Sequence, residues 1–351
     1  MRAQLLVPLL VVALPMSGQV ATQASYTPPS DPQALLAAVE PYYNYSDPSL
    51  KPWHLKASYQ LFDPEGKPSE QGTLEYWWLS PHVYRSTWTS PRGAHSVWHL
   101  SDDSYATVDS GEDLNFIEEL LRQDLVSPLR LLASESQSKA RLQAKNVKFG
   151  STQYPCIVST AESALANLPV SMGVLGNTYC FDPQVPALRF SNTFGMITTE
   201  FNKVAKTQGR YLPLEVDIVG GREKILVAHV DAVDLLQPSD PALIPPKDAV
   251  RAEYVAIEPP EEIVSGRLTK SVHPIYPAEA KERRIQGTVL LSATIEADGT
   301  VHNIQAVLSP DKSLTDAAIE AVSHWKYEPS TWNGKPVAAK TLIHVVFQIS
   351  S

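Results

Sequence analysis

Catalytic signatures are missing from this 351-residue chain. It has no GxSxG elbow, no HExxH pair, no Walker A loop and no GxGxxG fingerprint, which removes the usual grounds for hydrolase, zinc-protease or nucleotide chemistry. A basic surplus is missing too. The net charge is −9, which argues against a nucleic-acid binder, since those present basic surfaces. Cysteine is scarce, with two residues and no CxxC spacing, so a thiolate metal cluster is excluded. Long apolar runs are also absent. The ten residues Leu5–Leu14 fall well short of the roughly 20 that a spanning helix needs.

What stands at the N-terminus instead reads as a secretory signal peptide over residues 1–24. Arg2 supplies a positive start, Leu5–Leu14 the apolar stretch, and small residues allow cleavage after Ala21 or Ala24. The alternative is an uncleaved inner-membrane anchor through residues 4–15. Export makes a Cys156–Cys180 disulfide the expectation, because both cysteines sit in strand-like segments, YPCIVST and NTYCFDP. Two buried free thiols remain the alternative.

The nine histidines are scattered. His95 and His99 are four apart in a strand pattern, which places them on one face but too widely spaced for a metal pair. The acids Glu258, Glu261 and Glu262 fall in a proline-rich stretch and read as solvated. No catalytic residue, metal ligand or cofactor site is therefore expected, and the chain reads as a non-enzyme.

Along the chain, Pro32–Val39 has a helical pattern. From Trp53 onward WHLKASYQLF, GTLEYWWLS, HVYRSTWTS and HSVWHLS follow at short spacing, as in an antiparallel meander. Residues 112–133 interrupt it with helical periodicity through Leu114, Ile117, Leu120, Leu121 and Leu125. Strands resume at 154–160, 177–181, 188–190, 211–219 and 224–234, with a hairpin turn at Gly220–Gly221. Residues 237–262 are acidic and rich in proline, and read as a semi-extended linker. The expected division is a signal at 1–24, a β-rich module at 25–236, the linker at 237–262 and a second domain at 263–351. Charge supports the split. Residues 263–351 carry nine Lys/Arg against eight Asp/Glu, while the remainder carries 20 against 30.

The last domain has the densest pattern. A short helix begins at Tyr276–Pro277. A strand follows at Thr288–Ile295, with Val289, Leu291, Ala293 and Ile295 on one face. Asp298–Gly299 predicts a type I′ hairpin, leading to a strand at Val301–Leu308. Ser313 to Asp316 predicts a capping box. Leu314, Ala318, Ala321, Val322 and Trp325 then recur at helical spacing. Lys335–Ile349 reads as one long strand with Ile343, Val345 and Phe347 on a single face.

Taken in order, Tyr276–Ala280, Ile285–Leu291, Asp298–Val301, Leu314–Pro329 and Gly334–Phe347 resemble the TonB C-terminal domain family. The resemblance implies an α+β fold with a two-layer α+β C-terminal domain in the periplasm. It also implies contact with a segment of an outer-membrane TonB-dependent receptor by strand addition at a sheet edge. Carried over to this chain, the docking edge is Ala338–Phe347, with Ala338, Lys340, Leu342, His344, Val345 and Phe347 as its residues. Such an edge can also pair with itself in a homodimer. The chain departs from an energy transducer in its cleavable signal and in a linker that reaches roughly 80 Å at most.

The aromatic meander GTLEYWWLSPHVYRSTWTSP, with RYLPLEVDIV, faintly resembles LolA/LolB-type periplasmic half-barrels. That resemblance implies an acyl or lipoprotein ligand, with Trp53, Trp77, Trp88 and Trp98 as its lining. The plainer reading is core packing. Adjacent Trp77 and Trp78 must face opposite sides of a strand. Two functions follow: a receptor-binding protein linked to envelope transport, or a lipid or lipoprotein carrier docked by its C-terminal domain.

Overall fold

Period-two alternation builds most of the molecule. The computed structural model describes residues 26–63, 65–101, 103–107, 115–137, 141–160, 176–193, 195–221, 223–251, 266–332 and 334–349. The signal segment 1–24 and residues 252–262 of the expected linker lie outside them. The described chain is mostly β-strand with few helices.

One antiparallel sheet of 13 strands dominates. Its first run is β1 (Trp53–Phe62), β2 (Pro68–Ser80), β3 (Val83–Ser90), β4 (Gly93–Leu100) and β5 (Asp103–Ala106). Its second run is β6 (Arg141–Phe149), β7 (Thr152–Thr160), β8 (Asn177–Phe181), β9 (Leu188–Thr193), β10 (Ile197–Thr207), β11 (Arg210–Gly220) and β12 (Glu223–Leu235). Each run is a meander of neighbours. The two join where β1 pairs with β12, from Trp53↔Leu235 to Leu61↔Leu226. A two-residue strand, β13 (Val250–Arg251), extends the far edge by pairing with β5. Cys156 and Cys180 lie directly opposite on β7 and β8 and form a disulfide. Closing that 24-residue separation stabilises by about 3–4 kcal/mol in the chain-entropy account.

Three helices of this unit lie among the described residues: α1 (Pro32–Val39), α2 (Phe116–Val126) and α3 (Arg130–Gln137). Asp31 caps α1 by accepting from the Ala34 amide. Asn115 and Glu118 form a reciprocal capping box that starts α2. Leu35, Leu36 and Val39 of α1 and Ile117, Leu120, Leu121 and Leu125 of α2 pack onto one face of the sheet. There they meet Trp53, Leu55, Tyr59, Leu74, Tyr76, Trp78 and Trp88.

On the opposite face of the sheet, the surface around Trp77 meets the segment expected to be a semi-extended linker. Its prolines keep it out of helix and ladder, but they do not prevent docking. Pro241–Leu243 makes a 3-10 turn capped by Asp240. Leu243 and Leu236 pack on Trp77. The described part of this segment thus meets the sheet at 241–243 and again at 250–251.

The C-terminal domain contains β14 (Leu268–Lys270), α4 (Ala278–Glu282), β15 (Gly287–Ile295), β16 (Val301–Leu308), α5 (Lys312–Ser323), β17 (Lys326–Tyr327), β18 (Ser330–Trp332), β19 (Lys335–Val337) and β20 (Ala339–Phe347). The main sheet has the order β16-β15-β20. Val289, Leu291, Ala293 and Ile295 of β15 pack with Ile343, Val345 and Phe347 of β20 against Ala280, Leu314, Ala318 and Val322 of the helices. Each large side chain so buried contributes about 1.5–3 kcal/mol.

Three local expectations need correction here. The hairpin at Asp298–Gly299 is not type I′, because Gly299 has positive φ and Asp298 does not. Gly299 donates its amide to the Glu296 carbonyl, and Asp298 Oδ1 accepts from the Thr300 amide, which favours a three-residue loop. The helix cap is Asp311, two residues before Ser313, and it accepts from the Ser313 amide at 2.9 Å. Asp316 instead pairs with Lys312 one turn away. Finally, the single long strand from Lys335 is broken at Ala338: β19 folds back on β18, and β20 begins at Ala339.

Candidate functional site

Strand β20 lies at a sheet edge. It pairs with β15 in one unbroken antiparallel register from Gly287↔Phe347 to Ile295↔Ala339. On its other side no strand lies among the described residues. An edge strand presents alternate backbone N–H and C=O groups outward, which is a template for another extended chain.

The candidate edge residues occupy three different settings. Val345 and Phe347 point into the helix-covered core at 3% and 2% exposure, so only their backbone is available. Lys340, Leu342 and His344 point to the helix-free face. Lys340 Nζ donates to Glu119 Oε1 of α2 at 2.9 Å. Leu342 packs against the core of the N-terminal module. His344 is half-buried, and desolvation holds its imidazole below the usual pKa. Ala338 falls between β19 and β20, outside the strand.

This face is what sequence reasoning missed. Leu290, Val307, Leu308 and Leu342 belong with the N-terminal core, not with the cluster under α4 and α5. A signal was present in the sequence. Val289–Leu290–Leu291 and Leu342–Ile343 place apolar groups on both faces of their strands, which marks strands buried on both sides.

In the N-terminal module the four candidate lining indoles separate onto two faces. Trp53 and Trp88 are interior. Trp53 stacks on Tyr76 and Trp78, and Trp88 meets Tyr59 edge-on. Trp77 and Trp98 lie on the outer face and flank Arg85, whose guanidinium carbon is 4.4 Å and 4.7 Å from their ring centroids. Arg85 Nη1 and Trp98 Nε1 both donate to the Ala242 carbonyl, at 3.1 and 2.9 Å. These two indoles therefore clamp the chain's own 241–243 turn.

Beside Trp53 the free space is small. A space of about 10 Å³ lies among Tyr45, Leu50, Trp53, Leu55, Leu212 and Val233. The segment above it is tied to the β10–β11 turn: Arg210 reaches Asn44 and Asp47, and Gln208 exchanges hydrogen bonds with the Lys51 backbone. A wider basin of about 570 Å³, with polar groups such as Ser58, Gln60, Gln71, Thr73 and Thr89, includes none of the candidate tryptophans.

Two buried carboxylates are anchored on α2. Glu118, with a fully buried side chain, accepts from Tyr59 Oη at 2.6 Å and from Arg92 Nη2 at 2.5 Å. Arg92 also donates to Glu70. Asp124 accepts from Thr199 Oγ1 at 2.8 Å, and complete burial pushes its carboxyl up to about 7. Neither carboxylate lines either of these two spaces, and no cluster of metal-ligating side chains occurs among the described residues. No described helix is long and apolar enough to cross a membrane.

Residues 272–349 match the sequence model of the Gram-negative bacterial TonB protein C-terminal family. A TonB protein of Vibrio cholerae is 30% identical over 114 residues, which cover 32% of this chain and 44% of that protein. The chain thus spans less than half the length of the curated TonB proteins it matches. The solution structure of the Pseudomonas aeruginosa TonB C-terminal domain aligns at 30% identity over 25% of this chain and 89% of that chain, with TM-score 0.23. A LolA superfamily protein from Nitrosomonas europaea aligns over 59% of this chain and 97% of its own, with TM-score 0.39 and 9% identity.

Proposed function

We propose that this chain is a non-enzymatic periplasmic protein of envelope transport whose C-terminal domain binds an extended segment of an outer-membrane receptor. The segment adds to β20 as a fourth strand. The observation that carries this reading is the edge position of β20 within the region that matches the TonB C-terminal family. Recognition of this kind draws affinity from backbone hydrogen bonds and leaves side chains to choose the partner. Burial of Val345 and Phe347 fits that division, since they hold the strand in place without touching a guest.

The test uses the full chain and peptides from receptor periplasmic segments. Along an edge strand, neighbouring positions alternate between inward and outward amides. Proline at His344 and, separately, at Val345 should therefore act differently. The position with the outward amide should lose at least about tenfold in affinity while circular dichroism stays native. Absence of binding at high micromolar peptide, or binding indifferent to both prolines, would sink the reading. Sedimentation reports whether the same edge forms a homodimer instead.

A carrier of acyl chains or lipoproteins is the second reading. One observation favours it: the indole N–H groups of Trp53, Trp78 and Trp88 are buried without a partner among the described residues. Buried donors of that kind cost about 1–3 kcal/mol each unless something accepts from them. With only about 10 Å³ free beside Trp53, a guest would have to displace the 44–51 segment. Native mass spectrometry of gently extracted protein decides this, and an empty protein counts against the carrier.

A further inference from the structure

Strand β20 has a second neighbour besides β15, and it comes from the other module. Leu290 in the centre of β15 is fully buried, yet it faces away from α4 and α5. It joins Val307, Leu308 and Leu342 against the core of the N-terminal module. Gly220 at the end of β11 makes room for this contact. A Cβ there would stand 2.4 Å from Leu308 Cδ2 and 2.7 Å from Ile225 Cδ1. The polar end of the seam is Lys340 to Glu119, with both side chains about one-third exposed. Glu119 adjoins Glu118, which is fixed from within by Tyr59 and Arg92. The first turn of α2 is therefore held on one side by the N-terminal core and on the other by β20.

We infer that the N-terminal module is the built-in partner of the helix-free face of the C-terminal sheet, and that the anchoring of α2 and the order of β20 are coupled through this seam. The coupling concerns the same edge as the strand-addition reading, and the regulatory part of the inference rests on that reading. A strand that binds β20 would then be sensed by α2. Loosening α2 would in turn weaken the edge, since coupling between sites is reciprocal. The apolar groups supply the contact, and the partly exposed ion pair sets its alignment.

Hydrogen exchange on the full chain tests the coupling without any ligand. Gly220→Glu places a charged wedge in the seam from the N-terminal side, at a position whose φ suits any residue. Exchange at 287–295, at 339–347 and in the first turn of α2 should rise by about tenfold. Strands β7 and β8, held by the disulfide, should keep their protection and report an intact module. Lys340→Glu should raise exchange in α2, Glu119→Lys should raise it in β20, and the double reversal should restore both. Unchanged exchange in the C-terminal strands of the wedge variant, or no recovery in the double reversal, overturns the inference.

A second arm measures binding of the receptor peptide. Where the wild-type chain binds it, the wedge variant should bind about threefold or more weakly, and equal affinity with an opened seam also overturns the inference. Where the wild-type chain binds nothing, the strand-addition reading falls, while the exchange results still decide the coupling.

Discussion

Replacing Arg85 with alanine should loosen residues 241–251 on the outer face of the sheet and leave the sheet itself folded. Arg85 lies between Trp77 and Trp98, and each half-desolvated cation–π contact is worth about 1 kcal/mol. Its hydrogen bond to the Ala242 carbonyl adds about 1–1.5 kcal/mol. Trp98 keeps its own bond to that carbonyl, so the strap is weakened and not abolished. Together the losses come to about 3 kcal/mol, or a rise of roughly two decades in the local opening equilibrium. Hydrogen exchange over 241–251, read with limited proteolysis of the same segment, measures this directly. Arg85→Lys should fall between wild type and alanine, because it keeps a cation but loses the planar fork. The reasoning fails if exchange at 241–251 is unchanged in Arg85→Ala, or if β1 to β4 loosen to the same extent.

Two further outcomes concern the buried face of the sheet. Asp124 is neutral in the native state up to about pH 7 but ionises near its ordinary carboxylate value once unfolded. The native state then binds the extra proton, so stability should fall as pH rises from about 4 to 7 and level off above; urea titration should show a loss of about 4 kcal/mol that Asp124→Asn removes, and an identical pH slope in both proteins would refute the assignment. Gly72 faces Tyr59 across the β1–β2 pair, and a Cβ there would fall 2.2 Å from the phenol oxygen. Gly72→Ala should push Tyr59 off Glu118 and lower stability by about 2–4 kcal/mol, seen as a drop in Tm; a neutral substitution would show that the ring has somewhere else to go.

The sequence spoke most clearly where a residue's fate is decided by near neighbours. Alternation in WHLKASYQLF placed β1 at Trp53–Phe62, and helical spacing from Leu314 to Val322 identified the buried stripe of α5. Besides short strands of two or three residues, three strands escaped notice. RLQAKNVKF of β6 is an exposed edge with little alternation, β5 is four residues long, and β10 mixes lysines with its buried Ile197 and Phe201. The position of β20 was legible from its motif, but not what lies against it. Leu290 and Leu342 gave a local hint of burial on both faces, while the identity of the covering surface depends on another module of the chain. The prolines of 237–262 suggested a semi-extended linker, because composition reports backbone restriction and says nothing of Arg85, Trp77 and Trp98 waiting on distant strands.

Pairing of β1 with β12 has a consequence for how the protein reaches this structure. Each meander can form from hairpins as it is made, but Trp53 cannot meet Leu235 until nearly the whole module is available. Bringing segments so far apart together costs about 4–5 kcal/mol of chain entropy, recovered only when the long seam zips. Until then β1 waits with an open edge and an aromatic face, the kind of surface that invites mispairing. The junction should therefore be the last to close during folding and the first to open under denaturant, with β12 acting as the clasp of the whole sheet.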